Sequence, residues 1–307
     1  MAAKKATAKR TKKQHTPDYY PVQRSVNLGV PGATLTGTNV GDAGKLLSIA
    51  NRRLYRQGKM YQIKLDLDMI HTMDSDVEIE VYALANTWDI QRGYALARET
   101  YERATRDERG SLGNNVARWE DFRVGHGIAG AGHLERTGYF AGTLALTTVT
   151  AGEHQVSQVD DSGTTKTFDW SAADGGSTLS IIQNWSRSGR AKQDPANVVN
   201  DVPYEGVNSD DMSAAEANAL QANGNDPPYA VSAPTMIWVK VGSLYYRPEA
   251  PISPGMQRLS TGFFDAPCGL FVLKSTGFAP PSGSVRLTAK AGEYKGVAAH
   301  AMCQEME

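Results

Sequence analysis

Lys59-Met-Tyr-Gln-Ile-Lys-Leu-Asp-Leu-Asp-Met-Ile70 alternates apolar and polar side chains along its length. Tyr61, Ile63, Leu65, Leu67 and Met69 point one way, and Gln62, Lys64, Asp66 and Asp68 the other. That period of two belongs to a strand with one buried and one solvated face. His71-Thr-Met-Asp-Ser-Asp76 has turn chemistry. Beyond it Val77, Ile79, Val81 and Ala83 alternate with Glu78, Glu80 and Tyr82. Two adjacent strands of this kind predict an antiparallel hairpin.

Downstream, Asp89 to Arg109 reads as the one strong helix. Asp89 is placed at its N-cap, and Ile90, Tyr94, Ala97, Tyr101 and Ala104 form an inward stripe. Glu99 with Arg103 and Glu102 with Arg106 are i,i+4 pairs on its outer side, and Gly110 ends it. Period-two segments return at 142–150, 154–160, 164–170 and 178–185, and again at 235–241, 268–275, 284–289 and 294–301. Residues 186–234 are polar and loop-like, with a short helix capped by Ser213. These ten segments, read as about eight or nine strands separated by turn residues and with no fixed-period repeat, predict an all-β sandwich of two packed sheets.

Upstream, 14–41 is rich in Pro and Gly and reads as an extended crossing segment. Asp42 then caps a short helix running to Arg56, with Leu46, Ile49, Ala50 and Leu54 on one face. Residues 1–13 carry Lys4, Lys5, Lys9, Arg10, Lys12 and Lys13 and no acid. Without those six cations, 26 Lys+Arg face 33 Asp+Glu, so the remainder is near −7. A cationic arm on an acidic body separates polyanion binding from folding. The same residues also suit a solubilising tail or a nuclear import signal. The expected division is therefore 1–41, a disordered basic arm and crossing segment, and 42–307, the folded body.

Composition narrows the class further. Thirty Gly and 14 Pro in 307 residues favour many turns and short strands. Two cysteines, Cys268 and Cys303, are too few for a disulfide scaffold, and no apolar run follows the basic arm, so an intracellular origin is expected. No stretch approaches the ~18 apolar residues of a membrane span, so no membrane partner is expected.

Motifs for catalysis are sparse. Gly125-His-Gly-Ile-Ala-Gly130 matches G-x-G-x-x-G, but a dinucleotide site needs a strand before it and a helix after it. The flanking sequence favours neither, so a flexible surface loop is expected and no cofactor is assigned. His126 and His133, with Glu135 nearby, lack the tight spacing of zinc sites, and no metal is assigned. Asp160-Asp161 and Asp210-Asp211 suit solvated turns or calcium bridging two subunits. No nucleophile or phosphate-loop motif supports an enzyme. Asn51-Arg-Arg-Leu-Tyr-Arg-Gln-Gly-Lys59 is a second basic cluster. Its Arg52, Arg53, Arg56 and Lys59 suit either nucleic acid or neighbouring acids, and Tyr55 is available to stack on an unpaired base.

The order of these parts resembles the single jelly-roll capsid proteins of small icosahedral viruses. It is most similar to those of circular single-stranded DNA viruses that encode a replication initiator. Asn51-Arg-Arg-Leu-Tyr-Arg-Gln57 and Asn86-Thr-Trp-Asp-Ile-Gln-Arg-Gly-Tyr94 look like segments of such capsids. The arm here is short and lysine-led where many of those arms are long and arginine-rich, and positive-strand RNA viruses with jelly-roll capsids are also similar. The resemblance implies an eight-stranded antiparallel jelly roll with one inserted helix and long loops. It also implies self-association into about 60 copies or a multiple of 60, and a single-stranded nucleic-acid genome as partner. The implied nucleic-acid-binding residues are Lys4, Lys5, Lys9, Arg10, Lys12, Lys13, Arg52, Arg53 and Arg56. The implied location is the virion, with the host nucleus during assembly; no host attachment factor is specified. A non-assembling, lectin-like β-sandwich binding module is the alternative.

Overall fold

A computed structural model describes residues 22–29, 37–70, 77–112, 120–136, 155–161, 163–189, 237–246, 256–276 and 285–302. The basic arm, the expected strand at 142–150, the Ser213-capped helix, Asp210-Asp211 and Cys303 lie outside these residues.

The chain begins with β1 (Ser25–Gly29), β2 (Gly37–Asp42), α1 (Ala43–Asn51), β3 (Lys59–Ile70) and β4 (Val77–Leu84). Next come α2 (Trp88–Ala104), α3 (Arg106–Leu112) and the short β5 (Gly132–His133) and β6 (Glu135–Arg136). They are followed by β7 (Gln158–Asp161), β8 (Thr164–Asp169), β9 (Thr178–Ser180) and α4 (Ile181–Gly189). The last part holds β10 (Trp238–Tyr246), β11 (Met256–Ser260), β12 (Phe264–Ala266), β13 (Leu270–Thr276), β14 (Val285–Ala289) and β15 (Ala299–Ala301).

The described residues are mostly β. One sheet runs β11-β3-β14-β1-β6, with β12 and β15 also paired to β3; a second runs β10-β4-β13-β2-β5; and β7-β8-β9 form a third. Pairing is antiparallel except at β2–β5 and β8–β9. Outside the small third sheet, eight strands are five residues or longer, and they pair in a nested order. The first pairs with the last (β1–β14), the second with the seventh (β2–β13), the third with the sixth (β3–β11) and the fourth with the fifth (β4–β10). Two- and three-residue strands add to the expected number by filling edges. β5 and β6 sit at the ends of the two main sheets, where otherwise unpaired backbone would invite association.

Several expectations are corrected. β3 and β4 each form where the alternation places them, but they do not pair as a hairpin and belong to different sheets. Alternation specifies a buried face, not which strand satisfies the backbone, and here the two apolar faces meet across the interior. Residues 25–29 and 37–42 do not belong to a crossing segment, because β1 and β2 lie within the two sheets and β2 runs across the expected 41/42 boundary. α1 is capped by Asp42 as expected, its carboxylate accepting from Lys45 N at 3.0 Å, but it ends at Asn51. α2 starts at Trp88, so Asp89 is in its first turn rather than at the cap. The Glu99–Arg103 pair forms at 2.6 Å, whereas Glu102 pairs backwards with Arg98 at 2.8 Å because Arg106 already begins α3. Gly110 lies inside α3. The single inserted helix becomes several, and the expected strand at 178–185 becomes β9 followed by α4. Ser180 Oγ accepts from Gln183 N at 3.1 Å, so Ser180-Ile-Ile-Gln183 was a legible helix start.

The core lies between the two larger sheets. Val26, Leu28, Ile63, Leu65, Leu67, Val285 and Leu287 from one meet Ile79, Val81, Leu244, Phe271 and Leu273 from the other. A second cluster gathers Ile90, Tyr94 and Ala97 of α2 with Phe122, Phe168, Trp170, Ile181 and Ile182. Gly41 of β2 lies opposite Phe271, and a Cβ there would be 2.2 Å from the ring. Gly41→Ala should therefore destabilise the fold by about 1–3 kcal/mol, read as a lower urea midpoint at unchanged m-value.

On the solvated face of the second sheet, Glu80 accepts from Lys240 at 2.6 Å and from Tyr82 at 3.0 Å and pairs with Lys274 at 3.3 Å. The Lys240 hydrogen bond, then those of Tyr82 and Lys274, hold its carboxyl at about 2. A depressed folded-state pKa means that the unfolded chain takes up the proton first as pH falls. The stabilisation is thus present above about pH 4.5 and lost between there and about pH 2. Glu80→Gln should lack that component of acid sensitivity in urea titrations across the range.

Candidate nucleic-acid interface

The loop from Arg52 to Gly58 joins α1 to β3 and contains the expected body cations. Its path is fixed from both ends. Arg52 ends α1 in the left-handed region, at φ 52°, with its backbone N–H on Ser48 O. Ser48 Oγ donates to Gly44 O at 2.7 Å and accepts from Tyr55 N at 2.8 Å. Tyr61 OH donates to Arg56 O at 2.6 Å, and Gln57 reaches across to Val124, donating to its O at 3.0 Å and accepting from its N at 2.6 Å.

The turn at Tyr294–Val297 packs against this loop. Tyr55 OH donates to Lys295 O at 2.9 Å, Arg56 N donates to Tyr294 OH at 3.2 Å, and Lys295 Nζ donates to Leu54 O. Tyr55 is fully buried, its ring edge-on to Tyr294 at 6.0 Å, so it is not the stacking surface the sequence suggested. Burial pushes its phenol above the usual tyrosine range. Lys59 and Lys295 place their ammonium groups 5.0 and 5.4 Å from the centre of the Tyr294 ring. Burial, then the positive charges of Arg56 and Arg53, lowers the Lys295 pKa.

The sequence-expected residues therefore divide. Lys4, Lys5, Lys9, Arg10, Lys12 and Lys13 lie outside the described residues. Arg52 is exposed and Arg53 half-buried on the loop. Arg56 is exposed but ion-paired to Asp121 at 3.3 Å, which favours the neighbouring-acid reading at that position. Sequence reasoning missed Tyr294 and Lys295, whose Lys-Gly pair at a two-residue turn was the available signal. It also missed Asp121 and Arg123. Arg123 is buried with one guanidinium nitrogen 3.0 Å from Asp42 and another 3.8 Å from Asp121, whose carboxylate also accepts from Gln57 N at 2.8 Å. Burial raises the Asp121 pKa despite these partners. This knot joins the cap of α1, the cationic loop and the 121–124 segment.

The start of the described chain lies beside the same loop. Gln23 N donates to Asn51 Oδ1 at 2.8 Å, Asn51 Nδ2 donates to Gln23 O at 2.9 Å, and Val22 packs on Gly296. The first described residues, Val22 and Gln23, thus root the N-terminal segment beside Asn51 and Gly296.

The other constellations take different forms. The glycine run is not a loose surface loop: Gly127 lies against the Trp170 backbone, where a Cβ would meet it at 2.3 Å, and β5 rather than a helix follows. His126 and His133 are edge to face at 5.1 Å, and burial, then His133, lowers the His126 pKa to about 4. Among the described residues no group of three or more His, Cys, Asp or Glu is placed to hold a metal. Asp160 and Asp161 lie in β7 and not on a turn, Asp160 opposite Thr165 of β8 and accepting from its Oγ1 at 2.9 Å. No described helix is long and apolar enough to cross a membrane.

Arg123→Ala should cost about 3–5 kcal/mol in chemical denaturation, since it leaves Asp42 without its cation and Asp121 with only the exposed Arg56. Arg56→Ala, at an exposed pair, should cost less than about 1 kcal/mol.

No family model, curated protein or solved structure matches this chain.

Proposed function

We propose that this chain is the capsid protein of a small icosahedral virus, a single eight-stranded antiparallel jelly roll that assembles into a closed shell around a single-stranded nucleic-acid genome. The observation that carries the reading is the nested pairing of β1, β2, β3 and β4 with β14, β13, β11 and β10. A ribbon paired in that way and rolled into two facing sheets gives the double Greek key of viral jelly rolls. Its wedge-like body suits repeated packing about symmetry axes, in about 60 copies or a multiple of 60.

The arm supports the second half of the reading. Its six cations stand against an acidic remainder, and the first described residues, 22 and 23, lie beside the body's own cationic loop. In a shell of about 60 chains the arms would supply about 360 positive charges, whose binding acts through counterion release. Lys4, Lys5, Lys9, Arg10, Lys12 and Lys13 are the main genome contacts in this proposal, with Arg52 and Arg53 beside them. The protein's place is the virion, with passage through the host nucleus during assembly.

Untagged protein run on a sizing column should elute in the void as uniform spheres by negative-stain microscopy, with an absorbance ratio indicating nucleic acid. Removing residues 1–13 should leave the shells and abolish that nucleic acid. A homogeneous monomer or dimer at every salt and pH tried would refute assembly, and arm-deleted shells with normal cargo would refute the arm's role.

A further inference from the structure

Cations are brought together beside the 294–297 turn from opposite ends of the sequence. Lys59 and Lys295 share the Tyr294 ring, and Arg52 and Arg53 belong to the loop packed beneath it. Among the described residues, Lys59, Lys295 and Arg52 form no ion pair with a carboxylate. Asp121, the carboxylate that acts on Lys295, is engaged by Arg56, Arg123 and the Gln57 N–H, and of the other acids lining the cavity beside Lys59, Glu99 pairs with Arg103, Glu102 with Arg98 and Glu120 with Arg109. Assembling like charges is unfavourable for the folded chain alone; the Lys295 pKa is lowered by burial first and then by the charges of Arg56 and Arg53.

Backbone conformation points to the same place. Among the described residues only three that are not glycine have positive φ: Arg52 (52°), Cys268 (56°) and Lys295 (51°). Two of the three are these cations. Lys295 occupies the first central position of a two-residue turn closed by hydrogen bonds of 3.0 Å between Tyr294 and Val297, with Gly296 second. Asn or Asp fits that position with less strain than Lys. Arg52 takes its conformation from the end of α1, whereas Lys295 keeps a strained position that Asn or Asp would fill more easily, and strain of that kind is concentrated at functional sites.

We infer that Lys59 and Lys295 at the Tyr294 ring, with Arg53 and Arg52 on the adjoining loop, form a phosphate clamp on the folded body that holds the backbone of single-stranded nucleic acid. The inference rests on the proposed genome-binding role and adds a fixed site to it. The ligand is recognised by its phosphodiester charge and not by base identity. Arg56 is not part of the clamp, because Asp121 neutralises it. A site on the folded body gives the genome a defined position relative to each subunit, whereas an arm alone supplies only local charge.

The test uses the full-length chain with the six arm cations replaced by Gln, so that the arm does not mask the body. Binding of a fluorescent oligothymidylate of about 20 nucleotides is followed by anisotropy across a salt series. Lys295→Asn keeps the turn chemistry while removing the charge, and Lys59→Gln removes the second ammonium. The arm-neutral protein should still bind in a salt-dependent manner. The slope of log K against log salt should fall by about 0.7 for each lysine removed and by about 1.4 for both. Arg56→Gln should leave it unchanged. An unchanged slope in the double variant overturns the clamp, as does arm-neutral protein that does not bind. Binding of a sulfated oligosaccharide but not oligothymidylate, lost in the same variants, also overturns it and assigns the site to a glycan. As a readout without substitution, wild-type protein photocrosslinked to a 5-bromouracil-containing oligonucleotide should label the peptide spanning 290–297; labelling confined to other peptides counts against the clamp. Microscopy of the same preparations separates the two ideas. Shells with an unchanged slope refute only the clamp, and a reduced slope without shells refutes only the capsid reading.

Discussion

Everything in this structure depends on hydrogen-bond pairing between strands far apart in the chain. Ser25 and Thr288 lie opposite each other in the β1–β14 pair with their hydroxyls 3.2 Å apart, 263 positions distant in sequence. Neither β1 nor β14 contains enough apolar surface to stand alone, and each becomes stable by completing a sheet whose inner face is already defined by β3. β3 is the longest strand and pairs with β11, β12, β14 and β15 along its length. The remaining loops, helices and small sheet are arranged by where this frame leaves its ends and edges.

The cationic loop illustrates how the frame positions chemistry. It lies between α1 and β3, and β3 is immobilised by its sheet partners. Tyr55, Tyr61 and Ser48 use their hydroxyls to fix the loop's backbone, and these bonds are shielded from water. The Asp42–Arg123–Asp121 knot then holds the loop against the 121–124 segment. The result is a set of exposed and half-buried cations on a rigid support. Rigid support with exposed charge suits a polyanion, because ordering costs are met during folding and not on binding.

Much of this was legible from particular residues. The alternation in Lys59–Ile70 and Val77–Leu84 marked β3 and β4 closely, and Ile90, Tyr94 and Ala97 marked the buried side of α2. β1 and β2 were hidden because Pro and Gly surround them and Gly41 replaces a core side chain that Phe271 supplies from across the sheet. In the candidate site, Arg52, Arg53 and Lys59 stood out as a cluster, while Lys295 lies near the other end of the sequence. Tyr55 looked available to a ligand, but its position beneath Lys295 and Tyr294 buries it.

The sequence by itself determined which segments have one apolar face, where Asp42 begins a helix, and that the first residues carry a charge opposite to the rest. Those properties are local, set by side-chain period, capping chemistry and composition. Only the tertiary structure decided that β3 and β4 part into different sheets, that Arg56 is neutralised by Asp121, and that Lys295 joins Lys59 at the Tyr294 ring. Each of these depends on which distant backbone or charge fills a valence that many partners can satisfy locally. That choice is made by the collective closure of two sheets around one core, and no single segment contains it.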